Sequence, residues 1–292
     1  MYKQRHDIRA FLEACDAVAH VEINEAQGST PRETGAWMLV GETSIFRTIG
    51  GGQLENMAIE KARQLLAKSN DEPVEMSISL GPDIGQCCGG KVDLSIKLLD
   101  PTEMEKYATV LELEADNFPS VYIFGAGHVG NALAEALLLL PVNPVLIDTR
   151  ADMLALATKS IEKRLTAMPE AEVRNARAGS AFVVLTHDHA LDFLITREVL
   201  ARNDVAYAGM IGSKTKRATF KNWMRREAGG DVNTDQLVCP MGGATLKDKR
   251  PEVIAILIAS QVMEYLIGYA EKRRSLEPAP HPASLSSLLK FK

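Results

Sequence analysis

The sequence has few cysteines, no long apolar run and no marked excess of one charge. Four cysteines in 292 residues are too few for a disulfide framework in a chain of this size. No apolar run approaches the roughly 18 residues of a membrane span, so we expect no membrane-spanning segment. The N-terminus is charged and has the pattern of a helix start, not of a signal peptide. These features predict a cytoplasmic protein with no membrane partner.

Acidic and basic residues are interspersed and nearly balanced. The chain has 38 Asp and Glu against 33 Lys and Arg, and its formal net charge is −5. A basic face that would bind nucleic acid is therefore not expected. The hydrophobic content of 46% is ordinary for a globular protein, and the length is sufficient for two domains.

Two patterns of secondary structure follow one another along the chain. Up to about residue 100, strands and helices are mixed without regular alternation, whereas from Ser120 strands and helices alternate. Such alternation predicts a parallel sheet with helices on both faces. The segment 100–120 is the expected junction. The sequence thus predicts an α/β protein, with a mixed α+β domain over residues 1–115 and a Rossmann-like domain with a C-terminal helix over residues 116–292.

A glycine-rich loop joins the first strand and helix of the second pattern. Gly125, Gly127 and Gly130 form a GxGxxG motif, whose glycines permit a tight turn, phosphate approach and helix–strand packing. The helix N-terminus offers free N–H groups and a positive dipole end to an anion. Asp148 ends the next apolar strand, and Arg150 would either accept a 2′-phosphate or pair with this acid. The motif predicts a nucleotide-type site, and the alternative is a Rossmann-like fold that keeps the glycines for packing.

Two further polar segments follow predicted strands of the same domain. His187 and His189 flank Asp188 in LTHDHALD, where they are candidates for acid–base chemistry, and the alternative is a helix N-cap at Asp188. A zinc site on the two histidines is disfavoured because no further ligands stand at suitable spacing. The second segment contains Gly212, Ser213 and Lys214 at a predicted strand-to-helix turn. It is a predicted anion site, and the alternative is a capped helix with a solvated basic face.

The N-terminal half contains adjacent thiols between glycines, in the segment GQCCGG. A thiolate of Cys87 or Cys88 would ligate a soft metal or carry a persulfide, and Gly89 and Gly90 would let a bulky ligand approach. The alternative is a small buried hydrophobic residue. Two more glycine-bordered loops carry polar candidates whose ligand is not identified by composition: Arg32, Glu33, Gln53 and Glu55.

Seven motifs, taken together and in order, resemble the xanthine dehydrogenase accessory factor family (XdhC/CoxI-like). They are GSTPRETGAWMLV, TIGGGQLE, GQCCGG, FGAGHVG, VLIDTR, LTHDHALD and YAGMIGSKTKR. The resemblance covers nearly the whole chain. On this resemblance Cys88 matches the cysteine of the family's CGG motif. The family's Rossmann motifs are matched by the glycine loop with His128, by Asp148 and Arg150, and by the IGSK turn.

The resemblance implies a chaperone or carrier without catalytic residues. It implies binding of molybdenum cofactor (molybdopterin), sulfuration with a cysteine desulfurase, and insertion into a xanthine dehydrogenase-type molybdenum hydroxylase. Cys88 would then be a candidate molybdenum ligand. An apolar stripe on the terminal helix makes a homodimer plausible. Two alternatives stay open: an NAD(P)-dependent oxidoreductase that uses His187 or His189 as acid–base, and an NAD(P)-binding regulatory protein.

Overall fold

The computed structural model describes residues 8–68, 72–81, 89–227, 233–243 and 248–276. The chain divides into two compact units, and the division falls between Glu114 and Ala115. Cys87 and Cys88 lie outside the described residues.

The first unit contains a five-stranded antiparallel sheet in the order β3-β2-β1-β5-β4. Its strands are β1 (Ala19–Gln27), β2 (Trp37–Val40), β3 (Ile45–Arg47), β4 (Val74–Ser79) and β5 (Lys91–Leu98). Its helices are α1 (Ile8–Glu13), α2 (Gly52–Lys68) and α3 (Pro101–Asp116), whose last two residues lie past the division.

Both faces of this sheet are covered. Helix α2 presents Leu54, Ala58, Ala62 and Leu65, at the spacing of one helical stripe, to the apolar face of β1 and β5. On the other face, α1 and α3 pack with β2, so that every residue of β2 is buried. Most of the expected junction 100–120 is helix α3, which contributes Tyr107, Ala108 and Leu111 to this second core layer.

The second unit contains a six-stranded parallel sheet in the order β11-β10-β9-β6-β7-β8. Its strands are β6 (Ser120–Phe124), β7 (Asn143–Asp148), β8 (Glu162–Leu165), β9 (Ala181–Val184), β10 (Tyr207–Met210) and β11 (Leu237–Val238). Its helices are α4 (His128–Leu137), α5 (Ala151–Ala155), α6 (Pro169–Arg174), α7 (His189–Leu200), α8 (Lys214–Glu227) and α9 (Pro251–Leu276).

This strand order is that of a doubly wound Rossmann fold, and it confirms the predicted fold class. Alternate residues of β6 point to opposite layers: Val121 and Ile123 pack with α4 and α9, while Tyr122 and Phe124 pack with α6, α7 and α8. From β6 the strands β7 and β8 follow on one side of the sheet, and β9, β10 and β11 follow on the other. This change of direction leaves a crevice at the carboxyl ends of β6 and β9. That crevice is where ligands bind in open sheets of this kind.

Three short elements escaped the sequence prediction, namely β8, α6 and β11. The apolar pattern of the C-terminal segment predicts a helix over about 251–269, and α9 extends beyond it to Leu276. Helix α9 is also long and apolar enough, by length and composition alone, to cross a membrane. In the structure it packs on the second unit through Ala255, Ile258, Val262 and Leu266, which are buried.

Candidate functional site

The three glycines of the GxGxxG loop have different surroundings. A Cβ on Gly125 would lie 2.4 Å from the carbonyl oxygen of Leu185, and a Cβ on Gly130 would lie 1.9 Å from that of Gly125. Gly127, the N-cap of α4, would meet no atom within 4 Å and has an ordinary φ of −72°. Packing therefore requires glycine at positions 125 and 130. At position 127 packing does not require glycine, and the missing side chain leaves open space beside the N-terminus of α4.

Asp148 joins the end of β7 to this loop. Its Oδ2 accepts a hydrogen bond of 2.7 Å from the backbone N–H of Ala126 and one of 3.0 Å from Nη2 of Arg150. Its Oδ1 accepts from the backbone N–H and from Nε of Arg150, both at 3.0 Å. Asp148 is only 5% exposed. The acid and base that the sequence pointed to are thus brought together with the loop.

The electrostatics of this pair favour the charged carboxylate. Burial by itself raises the pKa of Asp148, but the hydrogen bonds from the Arg150 guanidinium and from the backbone N–H groups of Ala126 and Arg150 outweigh it. The net pKa of Asp148 therefore lies below its ordinary value. Asp148 is ionised at neutral pH and is not a proton donor.

The segment after β9 forms the other wall of the crevice. Asp188 is the N-cap of α7, and its Oδ1 accepts from the backbone N–H of Ala190 at 2.7 Å, as the capping alternative predicted. His187 and His189 are exposed on either side of this cap, and His128 is exposed at the start of α4. Of these histidines, His187 lines the cleft described below.

A buried ion pair that the sequence analysis did not single out lies behind this wall. Asp192 is fully buried and accepts from the backbone N–H of Thr186 at 2.9 Å, from the Thr186 hydroxyl at 2.7 Å and from Nζ of Lys216. It therefore fixes the turn that carries His187. An acid among the apolar residues Leu191, Phe193 and Leu194, four residues after the N-cap, was the signal for it.

The IGSK turn is built as a helix cap. Ser213 Oγ accepts from the backbone N–H of Lys216 at 3.2 Å, and Lys214 is exposed. A Cβ on Gly212 would lie 2.6 Å from Cδ of Lys216, so this glycine makes room for the lysine that reaches Asp192. The geometry agrees with the capped-helix alternative for this turn.

A small cleft of about 10 Å³, room for little more than a water molecule, lies at the carboxyl ends of β6, β7 and β9. It is lined by Phe124, Gly125, Ile147, Asp148, Thr149, Pro169, Thr186, His187 and Leu191. Backbone from the glycine loop, one histidine and apolar side chains thus meet at the switch point of the sheet, where ligands bind in open sheets of this kind.

In the first unit, three glycine-bordered loops pack against one another. A Cβ on Gly90 would lie 2.4 Å from the carbonyl oxygen of Ser29, and a Cβ on Gly50 would lie 2.8 Å from Cβ of Pro31. Gly89 donates its N–H to Leu80 at 2.8 Å, and Leu80 donates to Gly90 at 2.7 Å. The glycines after Cys88 are therefore held in a fixed place, although Cys88 itself lies outside the described residues.

The polar candidates of these loops differ in role. Glu55 accepts from the backbone N–H groups of Ile49 and Gly51 at 3.1 and 3.2 Å and from the Thr48 hydroxyl, so its carboxylate holds the glycine triplet. Arg32, Glu33 and Gln53 are exposed. Across the described ranges, no group of three or more His, Cys, Asp or Glu side chains is arranged to hold a metal ion.

Comparisons with known proteins agree with this arrangement of two units. The family model of the XdhC Rossmann domain matches residues 121–262, and the model of the XdhC and CoxI family matches residues 11–76. The uncharacterized protein YqeB of Escherichia coli (strain K12) is 23% identical over 255 residues, which are 84% of this chain and 43% of YqeB. The chain thus spans less than half the length of this relative.

A solved structure has the same fold. A Bacillus halodurans protein described as a xanthine dehydrogenase aligns with a TM-score of 0.75 and 18% identity, over 97% of this chain and 99% of that one. The two family models match different units of the chain. The glycine loop and the pair of Asp148 and Arg150 lie within the range that the Rossmann model matches. The chain belongs to the XdhC and CoxI family.

Proposed function

We propose that this protein is an accessory protein for a xanthine dehydrogenase-type molybdenum hydroxylase. In this proposal it binds molybdenum cofactor, protects it, assists its sulfuration and inserts it into the hydroxylase. Membership of the XdhC and CoxI family supports the accessory role. The observation that carries the cofactor-binding part is Gly127, whose missing side chain leaves space at the N-terminus of α4 that packing does not need.

The phosphate end of the cofactor is assigned to this space. Free N–H groups and the helix dipole at the start of α4 favour an anion, and among the described residues no atom beyond the adjoining chain and helix backbone lies within 4 Å of a Gly127 Cβ position. The cleft beside it offers apolar walls and His187 to the rest of the ligand. His128, the first residue of α4, and the IGSK turn with Ser213 and Lys214 are further candidates at the same edge of the sheet.

Sulfur handling is assigned to the first unit. Cys88 would carry the sulfur or contact molybdenum as a thiolate, and Gly89, the next residue, has no described neighbour within 4 Å of its Cβ position. We expect Cys88→Ser to retain much less cofactor and to leave the hydroxylase inactive. Cys87→Ser is the matched control, and we expect a milder effect because Cys87 is not adjacent to the glycine pair. Equal behaviour of wild type and Cys88→Ser would overturn this assignment.

The proposal also names partners and a location. A cysteine desulfurase would supply sulfur and the hydroxylase apoenzyme would receive the cofactor, both in the cytoplasm. Self-association through α9 is proposed on its exposed side chains Ile256 and Ile267, which lie on one side of the helix. The measurement is sedimentation of wild type against Ile256→Glu, which we expect to be monomeric.

The test of cofactor binding compares alanine substitutions at Gly127 and Gly268, two glycines where an added Cβ has space. The protein is purified anaerobically from a host that makes the cofactor, and its pterin and molybdenum contents are measured. We expect Gly127→Ala to lose most of the bound pterin. Gly268→Ala, on α9, is the control, since its Cβ also meets nothing within 4 Å. Absence of pterin from the wild-type protein would refute the proposal.

A second candidate function is supported by His187 alone. This exposed histidine lines the cleft at the position where a hydride-transfer enzyme would place an acid–base group. An NAD(P)-dependent oxidoreductase would transfer hydride from NADH or NADPH to a small carbonyl compound, and His187→Gln would stop it. Binding of NAD(P) without turnover and without pterin would instead favour an NAD(P)-binding regulatory protein.

A further inference from the structure

The acid at the end of β7 has no acceptor position left for a ligand. In dinucleotide-binding Rossmann folds, this acid accepts a hydrogen bond from a ribose hydroxyl. Here each oxygen of Asp148 already accepts two hydrogen bonds, Oδ1 from the N–H and Nε of Arg150, and Oδ2 from the N–H of Ala126 and Nη2 of Arg150. A carboxylate oxygen has two lone pairs, so both are saturated. The Asp148 side chain is also only 3% exposed.

Arg150 presents hydrogen-bond donors where the acid would have presented acceptors. Its Nε–Nη2 edge faces Asp148, and its other edge, formed by Nη1 and the second N–H of Nη2, makes no hydrogen bond within the described part of the chain. The Arg150 side chain is 34% exposed. The free edge has the fork geometry that binds a phosphate through two parallel hydrogen bonds.

The balance of donors and acceptors distinguishes two kinds of ligand. A ribose hydroxyl donates as well as accepts, and its donor would find Asp148 saturated. A phosphate only accepts, so it would match the free edge of Arg150 and leave no donor unsatisfied. Asp152, an exposed acid on α5, acts on Arg150 through its charge without forming an ion pair, and it opposes an incoming anion.

We propose that Arg150 determines ligand specificity by selecting a second anionic group. The ligand class is a nucleotide, or a pterin nucleotide, that places one phosphate on the N-terminus of α4 and another phosphate against Arg150. The inference rests on the proposed function only in using the same edge of the Rossmann sheet. A ligand with an unsubstituted ribose at this position is selected against.

The test compares two probes that differ by one phosphate. Adenosine 2′,5′-bisphosphate and adenosine 5′-monophosphate are titrated calorimetrically into the full-length protein, and the ratio of their Kd values is the readout. We expect wild type to bind the bisphosphate about tenfold tighter or more, as a charged bidentate contact gives. Arg150→Met should bring the ratio close to one, and Arg150→Lys should give an intermediate ratio because lysine lacks the fork.

Three variants keep the test interpretable. Arg174→Met, at an exposed arginine paired with Glu198, is the control for loss of a surface charge and should keep the wild-type ratio. Asp152→Asn should increase the ratio. Should Arg150→Met unfold because Asp148 is left unpaired, the double variant Asp148→Asn/Arg150→Met removes the buried charge and is measured instead.

The outcomes separate this inference from the proposed function. Equal Kd values in wild type, tighter binding of the monophosphate, no binding of either probe, or an unchanged ratio in folded Arg150→Met would each overturn the inference. Pterin retention by a wild type that does not prefer the bisphosphate would leave the proposed function standing. A preference for the bisphosphate in protein that retains no pterin would support the specificity and refute the carrier.

Discussion

Asp148 holds the backbone N–H of Ala126 at 2.7 Å, across 22 positions of the sequence. The contact ties the end of β7 to the middle of the glycine loop, and Arg150 closes it from the solvent side. The shape of the loop is therefore fixed by protein groups, so the space beside Gly127 is present before a ligand arrives. Preorganisation of this kind lowers the free-energy cost of binding.

Replacing Asp148 should destabilise the second unit. Asp148→Ala leaves the buried N–H of Ala126 and a partly exposed Arg150 without their acceptor, and we expect a loss of about 2 kcal/mol in the free energy of unfolding. Urea unfolding measures this loss. Asp235→Ala is the control, because Asp235 is 83% exposed in its ion pair with Lys221 and should change the free energy by less than about 0.5 kcal/mol. Similar values for the two variants would show that Asp148 does not hold the loop.

The glycines of the loop should separate stability from binding. Gly130→Ala places a Cβ 1.9 Å from the Gly125 carbonyl oxygen, a clash with backbone that must move, and we expect a loss of about 3 kcal/mol or more. Gly127→Ala should cost less than about 1 kcal/mol, the difference between glycine and alanine at an N-cap. Thermal unfolding of both variants is the measurement. A large loss for Gly127→Ala would mean that packing, not ligand approach, requires glycine there.

The sequence was sufficient to predict the second unit and much less of its polar interior. Strand–helix alternation and the GxGxxG motif are local signals, and they identified β6, α4 and the pair of Asp148 and Arg150. The partnership of Asp192 with Lys216 joins α7 to α8, and no local spacing encodes which helices pack together. Helix α3 escaped prediction because its many charged residues are typical of a linker. Its buried face packs against strands that precede it in the sequence, and this contact is not visible in the local pattern.

The buried ion pair of Asp192 and Lys216 should behave as one unit. Asp192 is fully buried and the Lys216 side chain is 10% exposed, so Lys216→Met leaves an uncompensated charge in the core, and we expect a loss of about 3 kcal/mol or more. Asp192→Asn/Lys216→Met should recover a large part of that loss, because the buried charge is removed with its partner. A double-mutant cycle by urea unfolding measures the coupling. Additive losses would contradict a direct interaction.

A buried histidine in the first unit should make the stability of the protein depend on pH. His20 is 5% exposed and packs against the rings of Trp37 and Tyr107, at centroid distances of 5.8 and 5.3 Å. Burial, assisted by the charge of Lys97, lowers the pKa of His20 to about 3 from an ordinary value of 6.5. The folded protein therefore keeps His20 neutral at pH values where the unfolded chain protonates it.

The sign of the effect follows from proton binding. Between pH 6.5 and about 3 the unfolded state binds the extra proton, so stability falls as the pH falls, by about 1.4 kcal/mol per pH unit. His20→Phe keeps an aromatic ring in the cluster and removes the titration. Between pH 6.5 and 5 we expect wild type to lose about 2 kcal/mol more than His20→Phe in the free energy of unfolding, while above pH 7 the two should run parallel. Urea unfolding at pH 5, 6.5 and 8 measures the difference, which cancels the contribution of every other titrating group. Parallel curves over the whole range would mean that His20 is protonated in the folded protein, and that the aromatic cluster admits water.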